Sequence, residues 1–194
     1  RERRHLNPGS AGGAAFHIAL EAPAGVVPAW QAGDIAEIGP RNPQAAVLAL
    51  LDAVDLPGDA PVMFDDAGTH LADALSRAQL PAAEAVRGLA PQALCTHLQR
   101  LPHREYSIAS IPADGQLDLL VRLMPRADGS PGIGSGWLCE YASPGQDIDL
   151  RIRRNPNFHA PDPARPMLLI GNGTGLAGLR AHLKARIASG AHRN

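Results

Sequence analysis

The first candidate for chemistry is a glycine-rich turn near the end of the chain. Residues 173–178 read GTGLAG, the pattern GxGxxG, between an apolar run over 167–170 and a helical pattern of leucines that begins at Leu176. Glycines allow a sharp turn and a close approach of the backbone to an anion, and free N–H groups at a helix start attract a diphosphate. The pattern predicts a buried strand, a nucleotide-binding turn and a helix. The alternative is a turn that binds nothing.

No Lys followed by Ser or Thr comes after Gly178. A P-loop NTPase needs these side chains to reach the phosphates and the magnesium ion. The sequence therefore disfavours a P-loop.

A second candidate combines a cation, an aromatic ring and a hydroxyl within four residues. Arg104 can hold diphosphate oxygens, Tyr106 can stack on an isoalloxazine ring, and Ser107 can hydrogen-bond the ring edge near N5. This trio suits FAD. Because residues alternate between the two faces of a strand, Arg104 and Tyr106 share a face that Ser107 does not, so the ring must lie across the strand edge or the backbone must bend. An ordinary strand with one buried tyrosine is the alternative.

A third candidate is the segment Gly132-Ile133-Gly134-Ser135, which comes before a short helix predicted over 137–142. Its free N–H groups suit a diphosphate. The alternative is a hairpin turn in which Trp137 anchors the core.

Composition narrows the classes of protein. The 194 residues carry a formal net charge of −1, which gives no electrostatic footprint for nucleic acid or an anionic membrane surface. No run approaches the roughly 20 apolar residues of a membrane span, and we expect a cytoplasmic protein. The two cysteines, Cys95 and Cys139, indicate buried thiols rather than a disulfide framework. The eight histidines show no metal-ligand spacing, so we expect no metal site.

Two charged segments do not indicate catalysis. Asp65 and Asp66 precede a glycine in a polar stretch and are expected to form a solvated loop. The basic run Arg151-Ile152-Arg153-Arg154 alternates along a predicted strand; it could face the phosphates of a cofactor, but we expect it to face water.

The elements that must position these residues alternate between strands and helices. Apolar alternation between turn signals predicts strands over 16–20, 34–38, 105–111, 117–124 and 147–153. Helical patterns follow Asn42-Pro43, in which Asn42 could cap the helix, and recur over 69–78 and 91–101. These patterns predict a mainly β fold with a helical insertion.

The domain organisation follows from this order. Residues 1–163 are predicted to form a β-barrel with a helical insertion over about 43–101, and a Pro-rich linker over 160–166 ends it. Residues 164–194 are predicted to be the first βα unit of a truncated α/β nucleotide-binding domain, because such a domain needs several units. We expect that an upstream domain could also be missing.

The chain resembles the ferredoxin-NADP reductase superfamily, specifically the FAD-binding part of the diflavin reductases. The markers occur in family order and cover nearly the whole chain: Gly33-Asp34, Pro40-Arg41-Asn42, Arg104-Glu105-Tyr106-Ser107, Gly132 to Ser135, Asn157-Phe158 and Gly173-Thr174-Gly175. The resemblance implies an antiparallel Greek-key FAD-binding barrel. It also implies that the helical insertion is the connecting region of these reductases.

The resemblance also assigns roles to residues. FAD would be bound by Arg104, Glu105, Tyr106, Ser107, Leu119, Gly132, Ile133, Gly134 and Ser135. Leu119 would act through its backbone, and Ser107 would be catalytic by assisting hydride transfer to flavin N5. The NADPH diphosphate would be seated by Gly173, Thr174 and Gly175.

The activity implied is that of an NADPH-dependent flavoprotein oxidoreductase. Its partner would be an FMN domain, which could lie upstream, or a haem or other redox protein. The turn departs from the family pattern at two positions, because Asn172 and Gly178 stand where the family usually has proline. A module that holds FAD without turnover of its own, and a scaffold without a cofactor, are the alternatives.

Overall fold

The computed structural model describes residues 2–191 and divides the chain into two compact units. The first unit combines the residues up to Ile38 with those from Arg104 onward, and the second unit spans Gly39–His103. The outer limits of the predicted domains, residues 1 and 194, lie outside the described residues.

The described residues form short strands and mostly short helices. The strands are β1 (Glu2–His5), β2 (Ala15–Leu20), β3 (Ile35–Gly39), β4 (Pro61–Phe64), β5 (Ala67–His70), β6 (Arg104–Ser107), β7 (Leu117–Arg122) and β8 (Asp149–Arg153). The α-helices are α1 (Gln44–Val54), α2 (Leu71–Ser76), α3 (Ala83–Val86), α4 (Pro91–Cys95), α5 (Ile133–Gly136) and α6 (Leu176–Ala188). Single helical turns of 3₁₀ type occur at Pro112–Asp114, Pro156–Phe158 and Gly173–Gly175.

The first unit is built from two three-stranded sheets, ordered β1-β2-β7 and β6-β3-β8. The pairings β1–β2, β2–β7 and β3–β6 are antiparallel. An isolated bridge between Ile108 and Leu119 links the end of β6 to β7. The prediction of antiparallel strands combined with helices is confirmed at this level.

The core of the first unit lies under these sheets. Its largest fully buried side chains are Ile38, Ile108, Leu119 and Val121. Full burial of an aliphatic side chain of this size stabilises the fold by about 1.5–3 kcal/mol. The helix predicted over 137–142 is present as a π-helical turn, Trp137–Tyr141, that continues α5 and buries Trp137. The core therefore packs against Tyr106 of β6 and includes Trp137, directly after α5.

The second unit is not wholly helical as predicted, because it contains the hairpin β4–β5. Asp65 and Asp66 form its two-residue turn with φ of 53° and 61°. Both angles are left-handed, as a type I′ hairpin turn requires, and aspartate tolerates them better than most residues. Thr69 pairs with Val62 in this hairpin, so the helix predicted from residue 69 begins only at Leu71.

The outer edge of β4 is covered by the Gln92 side chain. The Met63 amide donates to Gln92 Oε1 at 2.7 Å, and Gln92 Nε2 donates to the Met63 carbonyl at 3.1 Å. Gln92 lies on α4, which ends at Cys95 instead of continuing to residue 101 as predicted. The side-chain amide thus takes the place of a neighbouring strand at this one residue.

Asn42 does not cap α1, contrary to the prediction. Its amide donates to the carbonyls of Leu75 and Ala78 at 2.8 and 2.7 Å, and Pro43 occupies the capping position without a side-chain bond. The side chain therefore ties α1 to the end of α2. Satisfying two carbonyls near a helix end stabilises α2 in place of α1.

The strand predicted over 167–170 is not formed. Leu168 and Ile170 are 85% and 81% exposed, and within residues 2–191 no strand pairs with this segment. A strand is held by hydrogen bonds to a neighbour, and parallel strands are found buried on both faces. Apolar residues alone do not supply that neighbour, and Leu168 and Ile170 stay exposed.

Candidate functional site

Two of the predicted motifs meet at Gly134. A Cβ atom on this buried glycine would lie 2.5 Å from Arg104 Cγ and 2.7 Å from Tyr106 Oη. Distances this short are overlaps, so only glycine fits between the two side chains. The strand β6 and the start of α5, nearly 30 residues apart in the sequence, therefore form one surface on which Arg104, Tyr106 and Gly134 are in contact.

Tyr106 is held in its protonated form at this surface. Burial, and secondarily the neighbouring Cys139 thiol, raise the pKa of Tyr106 to about 12, although the Arg104 guanidinium opposes the shift. The phenol therefore stays protonated into the alkaline range, where an ordinary tyrosine would ionise. The cysteine itself is buried, as predicted, and burial raises its pKa to about 12.

The segment that begins with Gly132 is fixed by backbone contacts to Met124. The Gly132 amide donates to the Met124 carbonyl at 2.7 Å, and the Met124 amide donates to Ser135 Oγ at 3.1 Å. Ser135 is buried, and Ile133 begins α5. The Ser135 hydroxyl therefore already positions the loop, and its predicted contact to a diphosphate stays a prediction.

Ser107 is separated from Arg104 and Tyr106 by strand alternation, as expected, and it lies beside the second glycine motif. A Cβ atom on Gly178 would be 3.6 Å from Ser107 Cβ and 2.8 Å from Phe158 Cε1. Gly178 is the third residue of α6. The structure thus places the predicted catalytic hydroxyl next to the helix that follows the predicted nucleotide turn.

The turn of Gly173, Thr174 and Gly175 lies beside Arg122. Gly173 has a φ of +56°, and Arg122 Nη2 lies 3.0 Å from the point that a Cβ on this glycine would occupy. Arg122 Nη1 also donates to the Gly13 carbonyl at 3.0 Å. Sequence reasoning missed this guanidinium, because the end of β7 comes close to the turn only in the folded chain.

Helix α6 is attached to β7 by charged side chains. Arg180 Nη1 donates to Asp118 Oδ2 at 2.8 Å and to the Ala109 carbonyl at 2.6 Å. Asp118 is buried and also contacts His17 Nε2 at 3.2 Å. Burial opposes ionisation of this carboxyl, yet the hydrogen bonds from Arg180 and Gln116 lower its pKa below the ordinary range. The helix that carries Gly178 is therefore anchored through a buried carboxylate.

Glu105 lies on the exposed face of β6, where its side chain reaches Arg153 on β8, two strands away. Its carboxylate accepts a hydrogen bond from Arg153 Nη2 at 2.8 Å, and Arg153 Nε also contacts Glu37 at 3.0 Å. The Arg151 Nε donates to Glu37 at 2.6 Å while its side chain stays 73% exposed. The hydrogen bond from Arg151 lowers the pKa of Glu37. The arginines expected to face water therefore also pair with acids across the sheet.

Leu119 lies in the core rather than on the surface that carries Arg104. Its side chain is fully buried, and its backbone lies between Ile18 on β2 and the bridge to Ile108. Its predicted role through the backbone stays a prediction.

No cluster of histidine, cysteine or acidic residues that could hold a metal ion is found among residues 2–191. In the same range, no helix is long and apolar enough to cross a membrane.

By sequence, the chain is a distant homologue of diflavin reductases. The relatives found are sulfite reductase [NADPH] flavoprotein alpha-components. The protein of Salmonella typhi is 29% identical over 84% of this chain. Those of Sodalis glossinidius and Yersinia enterocolitica are 37% and 38% identical over 53% and 48% of this chain.

The chain spans about a third of the length of the Salmonella relative, 35%, and 18% and 17% of the other two. No protein-family model matches the chain.

Proposed function

We propose that this chain forms the FAD-binding part of an NADPH-dependent flavoprotein reductase. The observation that carries the proposal is the contact of Gly134 with Arg104 and Tyr106, which joins a cation, a protonated phenol ring and a glycine-lined helix start. This combination fits the two ends of a flavin dinucleotide, because the ring requires a flat apolar partner and the diphosphate requires donors. The homology to sulfite reductase flavoproteins supports the same assignment.

The proposal assigns FAD to the surface around Gly134. Arg104 would hold the diphosphate together with the amides of Gly132, Ile133, Gly134 and Ser135, and Tyr106 would pack against the isoalloxazine ring. Ser107 would contact the ring edge, Glu105 would contribute to FAD binding from the same strand, and Leu119 would contribute through its backbone. When bound, FAD supplies the redox chemistry, and the chain supplies orientation.

The nucleotide NADPH is assigned to the turn of Gly173, Thr174 and Gly175. This turn directly precedes α6, and the Arg122 guanidinium beside Gly173 adds positive charge for a diphosphate. Ser107 lies beside Gly178 on α6 and directly follows Tyr106 in the sequence, which supports its proposed role in assisting hydride transfer. We further propose that the two sheets belong to an antiparallel Greek-key barrel and that residues 164–194 begin an α/β nucleotide-binding domain.

The electrons would pass from NADPH through FAD to an FMN or haem acceptor. The relatives are by name NADPH-dependent flavoprotein components of sulfite reductase, which supports this path at the level of the class.

The proposal is tested by the absorbance spectrum of the purified chain titrated with FAD. We expect the original chain to show a stoichiometric flavin band. In Arg104→Ala and Tyr106→Ala the apparent affinity for FAD should fall at least tenfold, because each substitution removes a direct contact. Arg87→Ala, which removes an exposed cation of the second unit, is the matched control and should bind FAD as the original chain does. A folded chain that takes up no flavin would contradict the proposal.

A second candidate is a module that holds FAD without turnover of its own. The run over 167–170 favours it, because within residues 2–191 this run pairs with no strand of a nucleotide-binding sheet. Anaerobic addition of NADPH to the FAD-loaded chain distinguishes the two, because bleaching of the flavin band occurs only if the nucleotide site works together with the flavin site.

A further inference from the structure

The segment that follows β8 is tied down by one buried carboxylate. Asp34 is 3% exposed, and its Oδ1 accepts hydrogen bonds from the Asn155 amide at 3.0 Å and from His159 Nε2 at 2.7 Å. The backbone N–H of Asn155 makes the first of these bonds, and its side-chain Nδ2 also donates to the Gly33 carbonyl at 3.1 Å. Both ends of residues 155–159, called the strap below, are therefore fixed to the same loop before β3.

The loop before β3 is shaped to receive the strap. Gly33 has a φ of +100°, and a Cβ atom there would lie 2.1 Å from the carbonyl oxygen of Phe158. Any other residue would be strained by its backbone angle and would also overlap the strap. Gly33 and Asp34 thus act together, the first by leaving space and the second by accepting hydrogen bonds.

The strap delivers the Phe158 ring to the junction between Ser107 and α6. The ring lies against Gly178 and meets the buried His182 imidazole edge to face, with ring centroids 4.9 Å apart. A glycine inside a helix costs about 1 kcal/mol relative to alanine. The close approach of Phe158 Cε1 to the Cβ position of Gly178 gives that cost a structural reason.

We propose that Asp34 and His159 are positioning residues: they hold the strap, and the strap sets the distance between Ser107 and Gly178. That distance in turn sets the spacing between the flavin surface and the helix α6 at the proposed NADPH site. The inference rests on the proposed function. Asp34 and His159 act through Phe158. The ring, which is 41% exposed, packs against Gly178, so a shift of the strap would change the packing of α6 beside Ser107. Donor and acceptor geometry for hydride transfer is sensitive to such shifts, since a misplacement of about 1 Å can cost on the order of a hundredfold in rate.

The test uses the whole chain loaded with FAD and titrated with oxidised NADP⁺, with the flavin difference spectrum as the readout. In His159→Ala and Phe158→Leu the affinity for FAD should stay within about twofold of the original. The NADP⁺ concentration that gives half of the spectral response should rise on the order of tenfold. His159→Gln retains a donor for Asp34 and should return the response to within about threefold of the original chain. His97→Ala, at an exposed histidine of the second unit, should change neither value.

Each other outcome overturns the inference. An unchanged NADP⁺ response in His159→Ala and Phe158→Leu would show that the strap does not set this distance. Equal losses of FAD and NADP⁺ binding that His159→Gln fails to restore would show a merely structural role. If the original chain binds FAD but does not respond to NADP⁺, the inference fails while the flavin site stands, and if it binds no FAD, the proposed function fails with it.

Discussion

At the scale of single residues, two glycines leave the space in which side chains from separate motifs meet. Gly134 admits Arg104 and Tyr106, and Gly178 admits the Phe158 ring. Neither glycine has a positive φ, so their backbone angles would accept a larger residue, and the constraint is entirely one of space. Substitutions at these positions therefore report on the contacts between motifs.

Gly134→Ala should destabilise the first unit and weaken FAD binding together. The added methyl group would overlap Arg104 Cγ and Tyr106 Oη, and overpacking of this kind costs about 1–3 kcal/mol of unfolding free energy. Urea unfolding and FAD titration of the same samples check it. Gly68→Ala is the control, since its nearest atom, Met63 Sδ, is 3.9 Å from the added Cβ. Equal stabilities of the two variants would contradict the contact.

The raised pKa of Tyr106 predicts a loss of stability in strong alkali. The folded chain holds the phenol protonated up to a pKa of about 12, whereas an unfolded tyrosine ionises near pH 10. The contribution of the protonated phenol to the free energy of unfolding is thus fully present below about pH 10 and is lost as the pH rises toward 12. The unfolding free energy of the original chain should fall over this range more steeply than that of Tyr106→Phe. Parallel curves for the two proteins would show that the phenol has an ordinary pKa.

At the scale of elements, the first unit is held together by pairs of segments that the chain brings together from far apart. Helix α6 is anchored to β7 by Arg180 and Asp118, and the strap is anchored to the loop before β3 by Asp34. Both anchors use a buried carboxylate as an acceptor. Loss of one partner then leaves a charge that water cannot reach.

Arg180→Met should loosen α6 while leaving most of the unit folded. The Asp118 carboxylate would keep only His17 and Gln116 as side-chain partners, and we expect a loss of about 1–3 kcal/mol, reduced from the value for a fully buried pair because Arg180 is 35% exposed. Amide hydrogen exchange over α6 should accelerate more than over β2. Uniform acceleration in both elements would instead indicate global destabilisation.

How far the sequence predicts these elements depends on what holds each one. Strands such as β2 and β7 and the long helices α1 and α6 follow from apolar periodicity, which is local. The run over 167–170 has the same apolar character but no paired neighbour in the part of the chain that the structure describes, so its strand prediction is wrong. The contact at Gly134 and the strap on Asp34 depend on the meeting of distant segments, and spacing along the chain does not encode them.

At the scale of the whole molecule, both units contain fully or partly buried carboxylates whose pKa values are lowered. Hydrogen bonds outweigh the cost of burial at Asp34 and Asp118 in the first unit and at Asp73 in the second. A lowered pKa contributes stability that is present above the unfolded value, about 3.9, and lost as the pH falls through the folded value.

The unfolding free energy of the chain should therefore decline as the pH falls below about 4. Urea titrations at pH 6, 4 and 3 measure it, with Asp34→Asn as the comparison because an amide cannot titrate. The decline should be shallower in that variant. An identical decline would assign the acid sensitivity to other groups.

The Gln92 amide that covers β4 has a consequence for how separate molecules behave toward each other. Open strand edges are templates for pairing with other chains, and proteins that lack a cover there tend to associate. In Gln92→Ala the Met63 amide and carbonyl would face water beside a half-exposed methionine. Such a variant should remain folded yet form oligomers that grow with concentration, as measured by light scattering. The Gln92 side chain would then prevent association between molecules rather than stabilise the fold.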